Sequence, residues 1–212
     1  METYISPNYT QEKLDNPEID DLIDVFKDRV LNWLFEPAKK LIAEKNGLFG
    51  ALCLLLSYFE GVWAYVSGTD SKGKSQQYFK NAFLDVFNSS EYPPELLKRV
   101  ADIVYEDARC GFFHDGVLRA RIYLAELNKH DMLITLPRKP DGKVDINGKI
   151  ESILIDPKYF MAAIERHFID YLLCLRNPEE KTKRENFIKI AKDKWDYEGE
   201  GTIIGLNNNG TI

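Results

Sequence analysis

Cysteine and histidine are both scarce, with three of each in 212 residues. Cys53, Cys110 and Cys174 are widely separated and odd in number, which excludes a disulfide framework, and no Cys-x-x-Cys pair offers a zinc site. No metal or cofactor is therefore expected. An excess of positive charge is also missing. The net charge of -6 argues against a protein that coats nucleic acid without specificity. A local basic groove stays open, because Lys98, Arg99, Arg109, Arg119, Arg121, Lys129, Arg138 and Lys139 fall mid-chain, although Glu106, Asp107, Asp115 and Glu126 dilute them. The start, Met1-Glu2-Thr3-Tyr4, lacks the basic and apolar stretches of a secretion signal. A reducing cytoplasm is the expected setting. No internal repeat and no linker divides the chain.

What is present is enough apolar surface for one sizeable core: 44% hydrophobic and 12% aromatic residues. The expected fold is a single domain, 1–212, mainly α (α+β): a helical bundle with a small antiparallel β-sheet inserted at about 117–156. Residues 1–17 are polar, carry Pro7 and Pro17, and read as a loose N-terminal arm. The bundle then occupies 18–110. Ile19, Leu22, Ile23, Phe26, Val30 and Leu34 follow the helical period. Pro37 kinks that helix or starts a second one, which Asn46-Gly47 stops.

Leu48–Val66 is the most apolar run and approaches the length of a membrane span, roughly 20 residues. Gly50, Ser57, Glu60 and Gly61 interrupt it and its start lacks basic flanks, so a helix buried in a bundle is expected and no membrane partner. Glu60 becomes a shielded carboxylate: either a structural salt bridge or an acid that orients Arg109. Tyr92-Pro93-Pro94-Glu95 opens a helix that buries Leu96, Leu97, Val100, Ile103, Val104 and Ala108 and ends near Gly111.

After Val117 the period becomes two, with Leu118, Ala120, Ile122 and Leu124 on one face. Met132–Leu136 and Lys149–Ile155 are further strands, with turns at Asp141-Gly142 and Asn147-Gly148, so 117–156 reads as a β-meander. Two C-terminal helices fill 157–197, the first with Phe160, Ile164, Phe168, Tyr171, Leu172 and Leu175 as its core stripe. The tail, 198–212, is rich in glycine and asparagine; Thr202–Leu206 can form an edge strand. His130 and His167 read as surface and amphipathic-helix residues without a role.

Two motifs carry chemistry. Gly68-Thr69-Asp70-Ser71-Lys72-Gly73-Lys74-Ser75 matches GxxxxGK[ST], whose amides cradle phosphates while the lysine neutralises them and the hydroxyl holds magnesium. Gly68, Gly73, Lys74 and Ser75 are its weak candidate residues. The pattern requires a preceding strand and a following helix capped by Ser75. Ile153-Leu154-Ile155-Asp156 imitates the acidic strand of such enzymes. The plain alternative is a connection between two helices.

The second motif is Tyr105-Glu106-Asp107-Ala108-Arg109-Cys110-Gly111-Phe112-Phe113-His114-Asp115-Gly116. Arg109-x4-His114 at the end of a bundle helix resembles the RxxxxH signature of the HEPN superfamily, and the Arg-Cys-Gly-Phe-Phe-His-Asp-Gly block is similar to one in uncharacterised bacterial proteins. The resemblance covers the helical part of the chain. It implies a helical homodimer that acts as a metal-independent RNase, or that binds RNA without cutting it. Histidine can move a proton near neutral pH, and a guanidinium can hold phosphate oxygens. His114 is then the acid–base group and Arg109 the stabiliser of charge, with Glu60, Tyr105 and Asp115 in support. The alternatives are a non-catalytic HEPN-like interaction module regulated by a partner protein, and a nucleotide-binding protein using Gly68–Ser75. Salt-bridging of Arg109 and helix-capping by His114 would explain the pair without chemistry.

Overall fold

The computed structural model describes residues 4–88 and 92–195. Helix α1 (Ile19–Arg29) starts where the acidic first turn places it, with a reciprocal capping box between Glu18 and Asp21. It does not break at its end. Wide π-type turns over Val30–Phe35 carry it directly into α2 (Glu36–Ala43), so Pro37 sits in the first turn of a continued helix. α3 (Leu48–Ser67) is the central helix. By length and composition it would suit a membrane crossing, yet Leu52, Leu55, Phe59 and Ala64 are buried among the helices around it.

α4 (Ser75–Val86), α6 (Pro157–Arg176) and α7 (Lys181–Trp195) pack against α3. Their stripes meet in a column of rings. Phe59 lies 5.0 Å from Phe79, Phe83 lies 4.7 Å from Phe87, and Phe87 lies 4.9 Å from Phe160. Offset and edge-on pairs of this kind each add about 0.5–1.5 kcal/mol beyond the burial of their area. Of the stripe expected for α6, Phe160, Ile164, Phe168, Tyr171 and Leu175 are buried and Leu172 is half-buried.

The mainly helical fold with a small inserted sheet is the one the sequence leads to, but its strands pair differently. β3 (Ile122–Leu124), β4 (Met132–Thr135) and β5 (Ser152–Ile155) run in the order β3-β5-β4. β4 and β5 are antiparallel, whereas β3 and β5 are parallel. A meander would put β4 in the centre. β5 takes that place because Ile153 and Ile155 both point into the core, the pattern of the most covered strand. Residues 117–121 are not strand at all. They fold back along the end of the preceding helix.

The N-terminal arm is also not loose. β1 (Tyr4–Ser6) and β2 (Tyr9–Thr10) form a hairpin, and Leu14 is buried. Buried Asp28 on α1 accepts from the Asn8 backbone N–H at 2.8 Å, and Arg29 Nε donates to the Ile5 carbonyl at 2.7 Å. A polar arm gives no periodic signal, but one shielded carboxylate with several donors is enough to dock it. The edge strand expected at Thr202–Leu206 lies outside the described residues.

The candidate site at the end of α5

α5 (Pro94–Ile103) begins at the expected proline and buries the expected face. Beyond it the chain does not stop at Gly111. It continues as π-type turns over Val104–Asp115, and Gly116, left-handed at φ +72°, ends it. The chain then returns closely. A side chain at Gly111 would bring its Cβ within 2.7 Å of the Val117 carbonyl oxygen, so only glycine fits there. Arg119 fastens the return: its backbone N–H donates to the Asp107 carbonyl at 2.9 Å and its Nη1 to the Glu106 carbonyl at 3.0 Å.

The wide turns change what the motif spacing means. In an α-helix, residues five apart point about 140° away from each other. In a π-helix the backbone bonds run i→i+5, so residues five apart stand one turn apart on one face. Arg109 and His114 are therefore turned closer to one face than α-helical turns would leave them. Burial first and the neighbouring Cys110 thiol second push the Tyr105 phenol up in pKa.

Arg109 is well held. Its Nη2 donates to Glu60 Oε2 at 2.9 Å, with about a quarter of each side chain exposed. Its guanidinium lies 5.5 Å from the Tyr105 ring and 5.0 Å from the Phe113 ring. Glu60 accepts a second bond through Oε1, from the Ser71 hydroxyl at 3.0 Å. His114 is exposed and has no hydrogen bond among the described residues, so it does not serve as a cap. No contact joins it to Arg109. Asp115 turns away from His114 and pairs with Arg119 at 2.6 Å. Phe113, 52% exposed, stands between the two motif residues in sequence, with the Arg109 guanidinium and the Phe112 ring against it and the rest of its ring open to solvent. Its only sequence signal is the four-residue spacing from Arg109.

The GxxxxGK[ST] stretch meets the same site through Ser71, and it is built as a helix connection. It follows α3, a helix, where the motif requires a strand. Gly68 is the left-handed cap of α3, and a Cβ there would strike the Asn186 side chain, which itself donates to the Val66 carbonyl at 2.9 Å. The Lys72 N–H is used by Asp70 Oδ1 at 2.7 Å and the Lys74 N–H by the Ser71 carbonyl at 2.8 Å, so those amides do not face a ligand. Ser75 is the first residue of α4, and Lys74, with no side-chain bond to the helix, holds the cap position. Asp156, the imitation of a metal-binding aspartate, caps α6: its two oxygens accept from the Lys158 and Leu127 N–H groups. A hollow of about 420 Å³ lies between Lys74, Gln76 and Tyr105, beside the Arg109 cluster.

The mid-chain cations do not combine into a basic groove. Arg121 is paired with Asp107 at 2.6 Å, which raises its pKa, and Arg99 donates to the carbonyls of Ile146 and Gly148. Among the described residues no group of three or more His, Cys, Asp and Glu side chains converges as a metal centre needs.

His167 is better placed than the sequence indicates. The Tyr58 hydroxyl is 2.8 Å from its Nδ1 and Asp85 Oδ2 is 3.0 Å from its Nε2. No family profile, curated protein or solved structure matches the chain.

Proposed function

We propose that the protein is an HEPN-like RNA-binding protein that cleaves single-stranded RNA without a metal at the face formed by Arg109 and His114. The observation that supports this reading is the π-type geometry of Val104–Asp115, whose wider turns reduce the divergence that an α-helix would impose on the pair. Phe113 adds a ring on which a base can stack, worth about 1–3 kcal/mol per base in proteins that bind single strands. Arg109 gives one N–H group to Glu60 and keeps others for a phosphate oxygen.

The reaction this face can support is transfer within the RNA. The 2′-hydroxyl attacks phosphorus, its proton passes to His114, and the bond to the 5′-oxygen breaks. The products are a cyclic 2′,3′-phosphate and a 5′-hydroxyl, whose proton comes from a second donor. A homodimer would supply that donor as a second His114, and it would bring a second Arg109 to the charge on phosphorus. The reading includes a homodimer and a cytoplasmic setting.

One observation favours a second reading. Arg109 is already held by Glu60, Tyr105 and Phe113, as a structural arginine is. On that reading the face is a non-catalytic interaction module for a regulatory protein partner.

Incubation of the purified protein with single-stranded RNA in EDTA tests the choice. Cleavage to cyclic-phosphate ends, lost in His114→Ala with the fold intact, is the expected result. Unchanged RNA with no binding would remove the first reading and leave the second.

A further inference from the structure

Where α4 meets α6, Asp85, Lys129, Tyr159, Arg166, His167 and Asp170 line a hollow of about 280 Å³. That is just below the roughly 300–1,000 Å³ of pockets that hold drug-sized ligands, so its occupant is small. Ala162 and Ala163 on α6 leave the space open.

One carboxylate there is fixed from behind. Burial pushes the Tyr58 phenol well above its ordinary pKa, and its hydroxyl lies 2.8 Å from His167 Nδ1. The other ring nitrogen, Nε2, lies 3.0 Å from Asp85 Oδ2, so the imidazole bridges the buried phenol and the carboxylate. Such a chain orients Asp85 as outer hydrogen bonds orient a metal ligand, and leaves its Oδ1 without a partner among the described residues.

Opposite charges stand beside it unpaired. Arg166 and Asp170 are one turn apart on α6 yet form no ion pair, and Lys129 has none either among the described residues. Lys129 stands on a backbone at φ +87°, next to Asn128 at φ +46°, a conformation that non-glycine residues rarely adopt and that gathers at binding sites. Asp131, also on the wall, is engaged by the Tyr92 hydroxyl at 2.6 Å.

This lining discriminates among ligands. A phosphate or other plain anion would meet Asp85 and Asp170. A plain cation would meet Lys129 and Arg166. A small zwitterion satisfies both signs at once. We propose that this hollow binds a free α-amino acid, its ammonium held by Asp85 and Asp170 and its carboxylate by Lys129 and Arg166. Tyr159 forms the wall beside the side chain. The site is separate from the Arg109–His114 face and does not depend on the RNA reading.

The test is a thermal-shift screen of the protein amino acids at millimolar concentration, followed by calorimetric titration of the strongest. At least one free amino acid raises the Tm, while its N-acetyl and amide derivatives, each lacking one charge, do not. Arg166→Gln and Asp170→Asn, both at exposed positions that leave the core untouched, each weaken binding about tenfold or more, the size of one lost charged partner. The proposal is overturned if no free amino acid shifts the Tm, if the derivatives bind equally, or if both variants keep the wild-type affinity.

Discussion

His114 stands exposed at the end of the α5 turns with no hydrogen bond among the described residues, whereas His167 is bonded through both ring nitrogens inside the wall of a hollow. The two regions divide the work that histidine can do. A ring that is free to gain and lose a proton must stay uncommitted, and it contributes little to the fold. A ring whose nitrogens are both engaged fixes its neighbours and is fixed by them. The same contrast holds for the carboxylates beside them, since Asp115 is spent on an exposed pair with Arg119 while Asp85 is aimed by His167.

The largest expected effect breaks this comparison on stability. His167→Ala strands the buried Tyr58 hydroxyl and leaves a void, and should cost about 2–4 kcal/mol of unfolding free energy in urea titrations. His114→Ala should stay within about 0.5 kcal/mol of wild type. Equal losses would remove the distinction.

Next comes Glu60→Ala. Releasing the Arg109 guanidinium from its orienting partner should lower RNA cleavage by about tenfold, a 1.4 kcal/mol effect on the barrier. The stability loss should be about 1 kcal/mol, because the pair is only partly shielded from water. Faster cleavage in this variant would mean that Glu60 competes with RNA for Arg109.

A smaller effect depends on pH. The His167 hydrogen bond holds Asp85 below its ordinary value of 3.8. A depressed carboxylate stabilises the fold above its unfolded pKa, and that contribution disappears as pH falls from about 3.8 through the folded value. Asp85→Asn should therefore be less stable than wild type at neutral pH, with the gap closing in acid. A constant gap in urea midpoints would contradict the assignment. Smallest of all is the response to magnesium–ATP. With Gly68 serving as a helix cap and the loop amides engaged, neither wild type nor Lys74→Ala should change its Tm.

Helices such as α1 and α5 could be read from the sequence because they are amphipathic with a marked start, at Glu18 and Pro93-Pro94, and α3 from its long apolar run. The strands could be placed from alternation, but their order could not, since Ile153 and Ile155 show burial without naming the neighbours that cause it. The hairpin at Tyr4–Thr10 is held by side chains from α1, a long-range cause that no local pattern records. At the candidate site the sequence singled out Arg109 and His114 and offered Glu60 as one of several partners for Arg109, the one the structure selects. It did not show the π-type turns, which the returning Arg119 secures, nor that Asp115 prefers Arg119 to His114. His167 was invisible for a similar reason: both its partners, Tyr58 and Asp85, come from other helices.

The central claim is that Arg109 and His114 act from one face on one RNA. Titrating the labelled protein with a short single-stranded RNA oligomer while following the Arg109 side-chain and His114 ring signals by NMR tests it most directly. The account predicts that both signals move together and saturate at the same RNA concentration. Movement of one without the other, or of neither, would contradict it.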